Sequence, residues 1–391
     1  MNRWRSQPYV LEGQRRGIAA GILDAARATA DSLLDVSPNL PPLFTLKHLA
    51  VETDVSYKFL REVVSRKNHA EHYRVFKLKK ASVGHAADRF RYICVPHPLL
   101  LRAQRWIHSN ILIHVRCHEA SSAYHVESRI AETARMHCGC RWLIKLDITS
   151  FFESILEPSV YNAFHKMGYQ PLVSFELGRL CTRLRSFRNP ARYESARKDF
   201  EIWDYSNAYL GHLPQGAPTS PLLANIIAEE LDRRISVIAQ QFELVYTRYA
   251  DDIALSTKSK SFTREKCYTV IHEVQWALRE HGFWPNRTKT KILPPRARKI
   301  VLGLLVDTDR PRLTHEFKER LRTHVHFLSH PQVGPASHAR HRGFDSVLGL
   351  QHHVFGLAAF AAGIEPTWGA QCLEALRAVP WPTSASGFPW R

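Results

Sequence analysis

Apolar positions first recur at helical spacing. Residues 14–36 carry an Ala-rich helical pattern, and Pro38, Pro41 and Pro42 interrupt it. LFTLKHLAVETDVSYKFLREVVS (43–65) predicts two short amphipathic helices around a turn, a helix-turn-helix outline for which packing is the preferred role. From Tyr73 the period changes to two: YRVFKLKK (73–80) and RFRYICVP (89–96), separated by a Gly-containing turn, predict a basic hairpin. LLLRAQRWIHSNILIHV (99–115) returns to helical spacing. RWLIKLDITSFFESI (141–155) begins as a buried strand, and Asp147 stands where its apolar run ends. After LPQGAPTS a helix is predicted from Pro221 to about Ile238. LVYT and IALS then flank Ala250-Asp251 as the arms of a second hairpin, and residues 301–391 predict two or three helices.

Charge narrows what such a chain binds. Fifty-four Lys and Arg against 36 Asp and Glu give a formal charge of +18 and a pI near 9.8 over 391 residues. That balance points to a polyanion, with nucleic acid ahead of an anionic membrane surface. A 45% hydrophobic content marks a folded chain long enough for more than one core. No apolar run long enough to span a bilayer and no signal-peptide pattern stand out, so no membrane partner and a cytoplasmic location are expected. Seven sparse cysteines favour reduced thiols over a disulfide framework. Cys117-His118 with His137-Cys138-Gly139-Cys140 is the nearest approach to a zinc cluster. Its C-x-C spacing is wrong for zinc, and buried thiols are the preferred reading.

The chemistry sits in misplaced carboxylates. Asp147, Asp251 and Asp252 occupy the ends of apolar strands, where an unpaired carboxylate is expensive to desolvate. A lone Asp-Asp is usually a turn or a helix cap. Here the acids project from a strand pair, which is what a two-metal phosphoryl-transfer site needs: hard oxygen ligands bridging ions about 3.5–4 Å apart. Asp147 and Asp251 are the candidate bridging ligands, with Asp252 alongside as a weaker ligand or electrostatic neighbour. The expected cofactor is two Mg²⁺ ions, with Mn²⁺ able to substitute.

These residues carry a resemblance. Tyr249-Ala250-Asp251-Asp252 matches the Y-x-D-D signature of reverse transcriptases. RWLIKLDITSFFESI resembles the family's first catalytic block, LPQGAPTSP (213–221) its nucleotide-pocket block, GFWPNRTKTKI (282–292) the block after the acidic hairpin, and RFRYICVPHPLLLRAQRWI (89–107) the fingers block. The resemblance covers about residues 40–310 and is to bacterial retron reverse transcriptases and related phage-defence enzymes. It implies that Asp147, the main-chain carbonyl of Ile148, Asp251 and Asp252 hold the metals. Phe152 would be the steric gate against a ribose 2′-hydroxyl, one of Phe151 and Phe152 being a core aromatic. Gln215 and Gly216 would line the nucleotide pocket, where missing side-chain bulk admits the substrate. Lys80, or Lys79, and Arg91 would grip the triphosphate. Lys289 would approach the leaving pyrophosphate as a general acid.

Three departures qualify the likeness. Thr133-Ala134-Arg135-Met136-His137 stands where retrons carry N-A-x-x-H, and Val301-Leu302-Gly303 stands for V-T-G; each keeps the frame and loses the polar residue. Between Thr182 and Leu213 lies an insertion. In it Arg183, Arg185, Arg188, Arg192, Arg197 and Lys198 interleave with Phe187, Tyr193, Phe200 and Trp203: an RNA or template contact, a solvated amphipathic helix or an oligomer contact. HARHRGF (338–344) could meet phosphates.

The implied architecture is α+β, a right-hand polymerase. It has an N-terminal helical extension (1–72), fingers and an antiparallel palm (73–300), and a helical thumb (301–391). The implied activity is RNA-directed DNA synthesis from dNTPs on a structured noncoding RNA, yielding a DNA product, in bacterial antiphage defence. An effector protein or a second copy is a further candidate partner. Untemplated or protein-primed synthesis and a non-catalytic RNA-binding scaffold are the alternatives.

Overall fold

In the computed structural model, which describes residues 4, 6–68, 70–79, 90–124, 129–184 and 210–382, Gly17 sets the first boundary. At φ +71° it separates α1 (Ser6–Arg15) from α2 (Ala20–Val36), so the single pattern read over 14–36 belongs to two helices. Thr45 caps α3 (Leu46–Thr53) by accepting from the His48 N–H, and α4 (Tyr57–Val64) follows. Their buried Leu46, Leu49, Leu60, Val63 and Val64 join the same core as the later strands, in keeping with a packing role. Strands β1 (Tyr73–Lys79) and β2 (Phe90–Pro96) pair antiparallel from Tyr73↔Pro96 to Lys79↔Phe90, forming the basic hairpin. Its Val75, Phe76, Leu78, Phe90 and Tyr92 are exposed. Pro98 then opens α5 (Pro98–Asn110).

The acidic strands form the centre of a four-stranded antiparallel sheet. After α6 (Ile130–Met136) comes β3 (Trp142–Asp147), then α7 (Phe151–Ser154), α8 (Glu157–Lys166) and α9 (Pro171–Cys181). The helix expected from Pro221 to Ile238 is instead α10 (Ser220–Ile227) and α11 (Glu229–Gln241). Ala228 leaves helical geometry at ψ 5°, and Glu229, Glu230 and Asp232 favour a fresh helix N-terminus beyond it. Strands β4 (Val245–Tyr249) and β5 (Asp252–Thr257), helix α12 (Arg264–Glu280) and strand β6 (Lys291–Leu293) complete the layer, with strand order β4-β5-β3-β6. At the start of α8 the buried Glu157 accepts from Arg66 at 2.5 Å and Arg179 at 2.8 Å, tying the segment after α4 to this layer.

The C-terminal part departs most from expectation. A small sheet of β7 (Ile300–Val301), β8 (Leu304–Leu305) and β9 (Arg312–Leu313) precedes four described helices rather than two or three. These are α13 (His315–Ser329), α14 (Gly334–His341), α15 (Val347–Ile364) and α16 (Pro366–Arg377). Pro335 and Pro366 sit in first turns, where proline is tolerated, and so divide what reads as continuous apolar pattern. A second core joins Val301, Leu321, Leu350 and Leu376 to Leu143 and Ala254 of the sheet. By length and composition α15 could cross a membrane, contrary to the sequence reading. His352 and His353 interrupt its apolar run, while Leu350, Val354, Ala358 and Ala361 are buried in the second core.

Candidate active site

Register alone brings the carboxylates together. Asp147 ends β3 directly opposite Asp252, the first residue of β5, while Asp251 occupies the turn between β4 and β5. Ala250 makes that turn in the left-handed region at φ 55°, and the Ile148 N–H donates to the Asp251 carbonyl at 2.9 Å. Asp147 is buried; Asp251 and Asp252 are half-buried.

The stretch after α12 supplies the partners of Asp147. Lys289 Nζ donates to Asp147 Oδ1 at 2.7 Å, and Asn286 Nδ2 to Oδ2 at 3.0 Å. The Asn286 N–H also donates to the Asp147 carbonyl at 2.7 Å. Burial, then the charge of Asp147, pushes the Asp251 carboxyl above its ordinary range. Burial also raises Asp252, against the pull of Lys145. Lys289 is raised: its desolvation is outweighed by its hydrogen bond to Asp147 and the surrounding acids.

Three clustered carboxylates, with Asp147 adding to the upward shift of Asp251 and Asp252, stand beside a main-chain carbonyl as a hard-oxygen donor set that fits Mg²⁺ chemically. Among the described residues, however, no three acidic, His or Cys side chains converge on one point. Lys289 and Asn286 occupy the Asp147 oxygens, so the ammonium serves as Asp147's counter-charge.

The aromatic pair differs in burial. Phe151 is fully buried against Phe283 at 5.5 Å, whereas Phe152 is half-buried with its ring 6.4 Å from that of Tyr124. Tyr124 in turn lies 6.1 Å from Tyr249. Burial, then Asp251 and Tyr249, pushes its hydroxyl up to about 12. Arg91 is exposed on β2 opposite Leu78 and close enough to act on the Tyr124 hydroxyl. Lys80 lies outside the described residues, as does the side chain of Lys79.

Gly216 has a packing reason in addition to the pocket role expected of it. At φ +110° a Cβ would stand 3.0 Å from Ile93 Cγ2 and 3.1 Å from the Cys94 carbonyl. The missing side chain therefore admits strand β2, and the Gln215 carbonyl accepts from the Cys94 N–H at 2.7 Å. Gly216→Ala is expected to cost about 1–3 kcal/mol, by strained backbone and by loosening the hairpin. A thermal melt matching wild type would refute this packing account.

Two features whose roles the sequence reading did not give stand behind the acids. Arg248 and Asp232 form a fully buried ion pair at 2.6 Å. An arginine inside a buried strand was a signal as anomalous as Asp251, one residue pair away. His137 is the second: Nδ1 lies 2.7 Å from Ser256 Oγ and Nε2 2.8 Å from Thr247 Oγ1, joining α6 to β4 and β5. Burial lowers its pKa from 6.5 to about 4. The unfolded chain takes up that proton near pH 6.5, so stability is whole above 6.5, declines as pH falls toward 4, and levels below. The melting temperature of wild type will fall across that window more steeply than that of His137→Gln; parallel curves would sink the assignment. The basic and aromatic residues of the insertion, 185–209, lie outside the described residues, while its ends pair as Arg183↔His212.

An antiparallel palm with acids at facing strand ends and a basic hairpin beside it defines a right-hand nucleic-acid polymerase. The family model for reverse transcriptase (RNA-dependent DNA polymerase) matches residues 78–332, and the chain belongs to that family: it is an RNA-directed DNA polymerase. The retron Ec86 reverse transcriptase of Escherichia coli is 28% identical over 304 residues, 77% of this chain and 83% of that one. Retron Ec83 reverse transcriptase, also from Escherichia coli, is 28% identical over 324 residues, 78% and 88% of the two chains. Retron Mx162 reverse transcriptase of Myxococcus xanthus is 29% identical over 307 residues, 76% of this chain and 59% of that one. A solved telomerase from Candida albicans aligns with 77% of this chain and 56% of its own at 13% identity and a TM-score of 0.38.

Proposed function

We propose that this chain copies a structured noncoding RNA into DNA in a bacterial cytoplasm as part of antiphage defence. The observation that carries the chemistry is the pairing of Asp147 with Asp252 beside the Asp251 turn. The family uses divalent metal ions in general; here Asp147, Asp251, Asp252 and the Ile148 carbonyl would hold two Mg²⁺. Bound there, such ions would supply activation of the attacking hydroxyl and charge stabilisation at the leaving oxygen.

This chain's residues do the rest. Asn286 orients Asp147 through its side-chain amide. Lys289, kept protonated by the acids, neutralises Asp147 and is the group that would give a proton to the leaving pyrophosphate. Arg91, with Lys80 or Lys79, would grip the triphosphate. Phe152 would exclude a 2′-hydroxyl, and Gln215 would shape the pocket floor where it meets β2.

The retron relatives support an RNA template, while the departures at Thr133 and Leu302 favour a defence-associated relative whose primer need not be an RNA 2′-hydroxyl. The test is to purify the chain with its co-expressed RNA, add labelled dNTPs and Mg²⁺, and sequence the product. DNA complementary to the bound RNA is expected, with the primer junction deciding between retron and relative. DNA unrelated to that RNA would favour untemplated synthesis. In cells, loss of the gene should raise phage plating efficiency, and equal plating would remove the defence role.

A further inference from the structure

Beneath the acidic turn lies a group that the reaction, as described, does not use. Arg248 and Asp232 are both fully buried, and a charge held there without compensation is costly. Compensation is complete on the arginine side, since its five N–H donors make five hydrogen bonds. Nε and Nη2 fork onto the two carboxylate oxygens of Asp232 at 2.7 and 2.6 Å. The remaining three reach Asn225 Oδ1 at 3.2 Å, Ser121 Oγ at 3.1 Å and the Ala250 carbonyl at 3.1 Å.

The last contact is the informative one. Ala250 is buried and left-handed, a conformation that costs a non-glycine residue about 1–3 kcal/mol unless its surroundings hold it. Its carbonyl belongs to the same peptide unit as the Asp251 N–H. Gripping that oxygen fixes the plane from which Asp251 departs. On the other side of the residue, the Asp251 carbonyl is held by the Ile148 N–H at 2.9 Å. Asp251 is thus pinned at both of its peptide planes, once through Arg248 and once through the residue after Asp147. Asn225 extends the same grip by donating to the Ala123 carbonyl at 2.8 Å, next to Tyr124.

A pair that served stability alone would not need this aim. Buried ion pairs are often replaceable by apolar residues of similar volume without loss of stability. A fork bonded to the backbone of the catalytic turn does what an apolar pair cannot. We propose that Asp232 and Arg248 are positioning residues: they set the direction of the Asp251 carboxylate and thereby the affinity of the site for its divalent metal. This rests on reading Asp251 as a metal ligand.

The test uses the full chain with its RNA and Mn²⁺ as the probe, with binding followed by electron paramagnetic resonance. Three variants are compared: Arg248→Met with Asp232→Leu, Arg248→Lys, and Asp251→Ala. Outer partners of metal ligands typically govern affinity by about 10–100-fold, so the apolar double variant is expected to bind Mn²⁺ about tenfold more weakly, with a lower melting temperature because the buried Tyr246 hydroxyl and Ala250 carbonyl lose these partners. The Mg²⁺ concentration for half-maximal dNTP incorporation should rise in parallel, with the KM for dNTP at saturating Mg²⁺ unchanged. Arg248→Lys keeps the charge opposite Asp232 but loses the fork, and is expected to weaken Mn²⁺ binding as well; it decides the matter if the double variant does not fold. Wild-type Mn²⁺ affinity in a folded Arg248 variant overturns the proposal. If Asp251→Ala itself binds Mn²⁺ normally, the metal reading of Asp251 has failed instead.

Discussion

Replacing Asp251 and Asp252 together by alanine will abolish DNA synthesis and at the same time raise the melting temperature. The first effect follows from the proposed metal site: stabilisation of transition-state charge by ions held there would be worth several kcal/mol, so its loss should slow incorporation on the order of a thousandfold or more. The second follows from the carboxyl groups themselves. Burial raises the pKa of each above its ordinary range, which means the fold disfavours their ionised forms. At neutral pH the unfolded chain ionises both without that penalty, so the intact acids weaken the fold and their removal strengthens it. On the proposed reading a polymerase accepts this cost because the acids would be needed for chemistry. A scaffold that only binds RNA has no reason to. Synthesis by the double variant within tenfold of wild type would remove the two-metal reading, whatever its melting temperature.

The same acids show why this site was legible before any coordinates. A carboxylate at the end of an apolar strand contradicts its surroundings, and three such contradictions imply a compensating charge. The hairpins were legible for a related reason, since a period of two leaves little choice of element. What escaped were features that depend on distant partners. Asp232 reads as an ordinary acid in the first turn of α11, and only the folded chain reveals that it meets Arg248 rather than solvent. Gly216 reads as a substrate contact, yet the nearest atoms to its absent Cβ belong to β2. The helix break at Ala228 and the division of the C-terminal part into four helices do carry local signals, the acids Glu229, Glu230 and Asp232 and the first-turn Pro335 and Pro366, which apolar periodicity alone passes over. His137 sits in a frame whose missing polar residue drew attention, while the histidine that remains is the buried link to β4 and β5.

Phe152→Ala will change which sugar the enzyme accepts, whereas Phe151→Ala will change whether it stays folded. Both rings stand five residues or fewer beyond Asp147, but they have different neighbours. Phe151 is closed in by Phe283, with the Arg248 guanidinium 5.5 Å from its ring centre. Truncating it leaves a cavity beneath the catalytic turn and costs about 3–5 kcal/mol. Phe152 keeps a partly exposed face and touches Tyr124, which meets Tyr249 on the acidic hairpin. A ring at that rim can reject a 2′-hydroxyl sterically without hydrogen-bonding to anything. Exclusion of this kind is worth about 1–3 kcal/mol, so Phe152→Ala should raise the ratio of kcat/KM for rNTP to that for dNTP by about 10–100-fold. Tyr124 and Tyr249 remain to hold the rest of the rim, and efficiency with dNTP should fall less than the ratio rises. An unchanged ratio in a folded variant would move the gate elsewhere, and Tyr124, which is tied electrostatically to Asp251, would be the ring to truncate next.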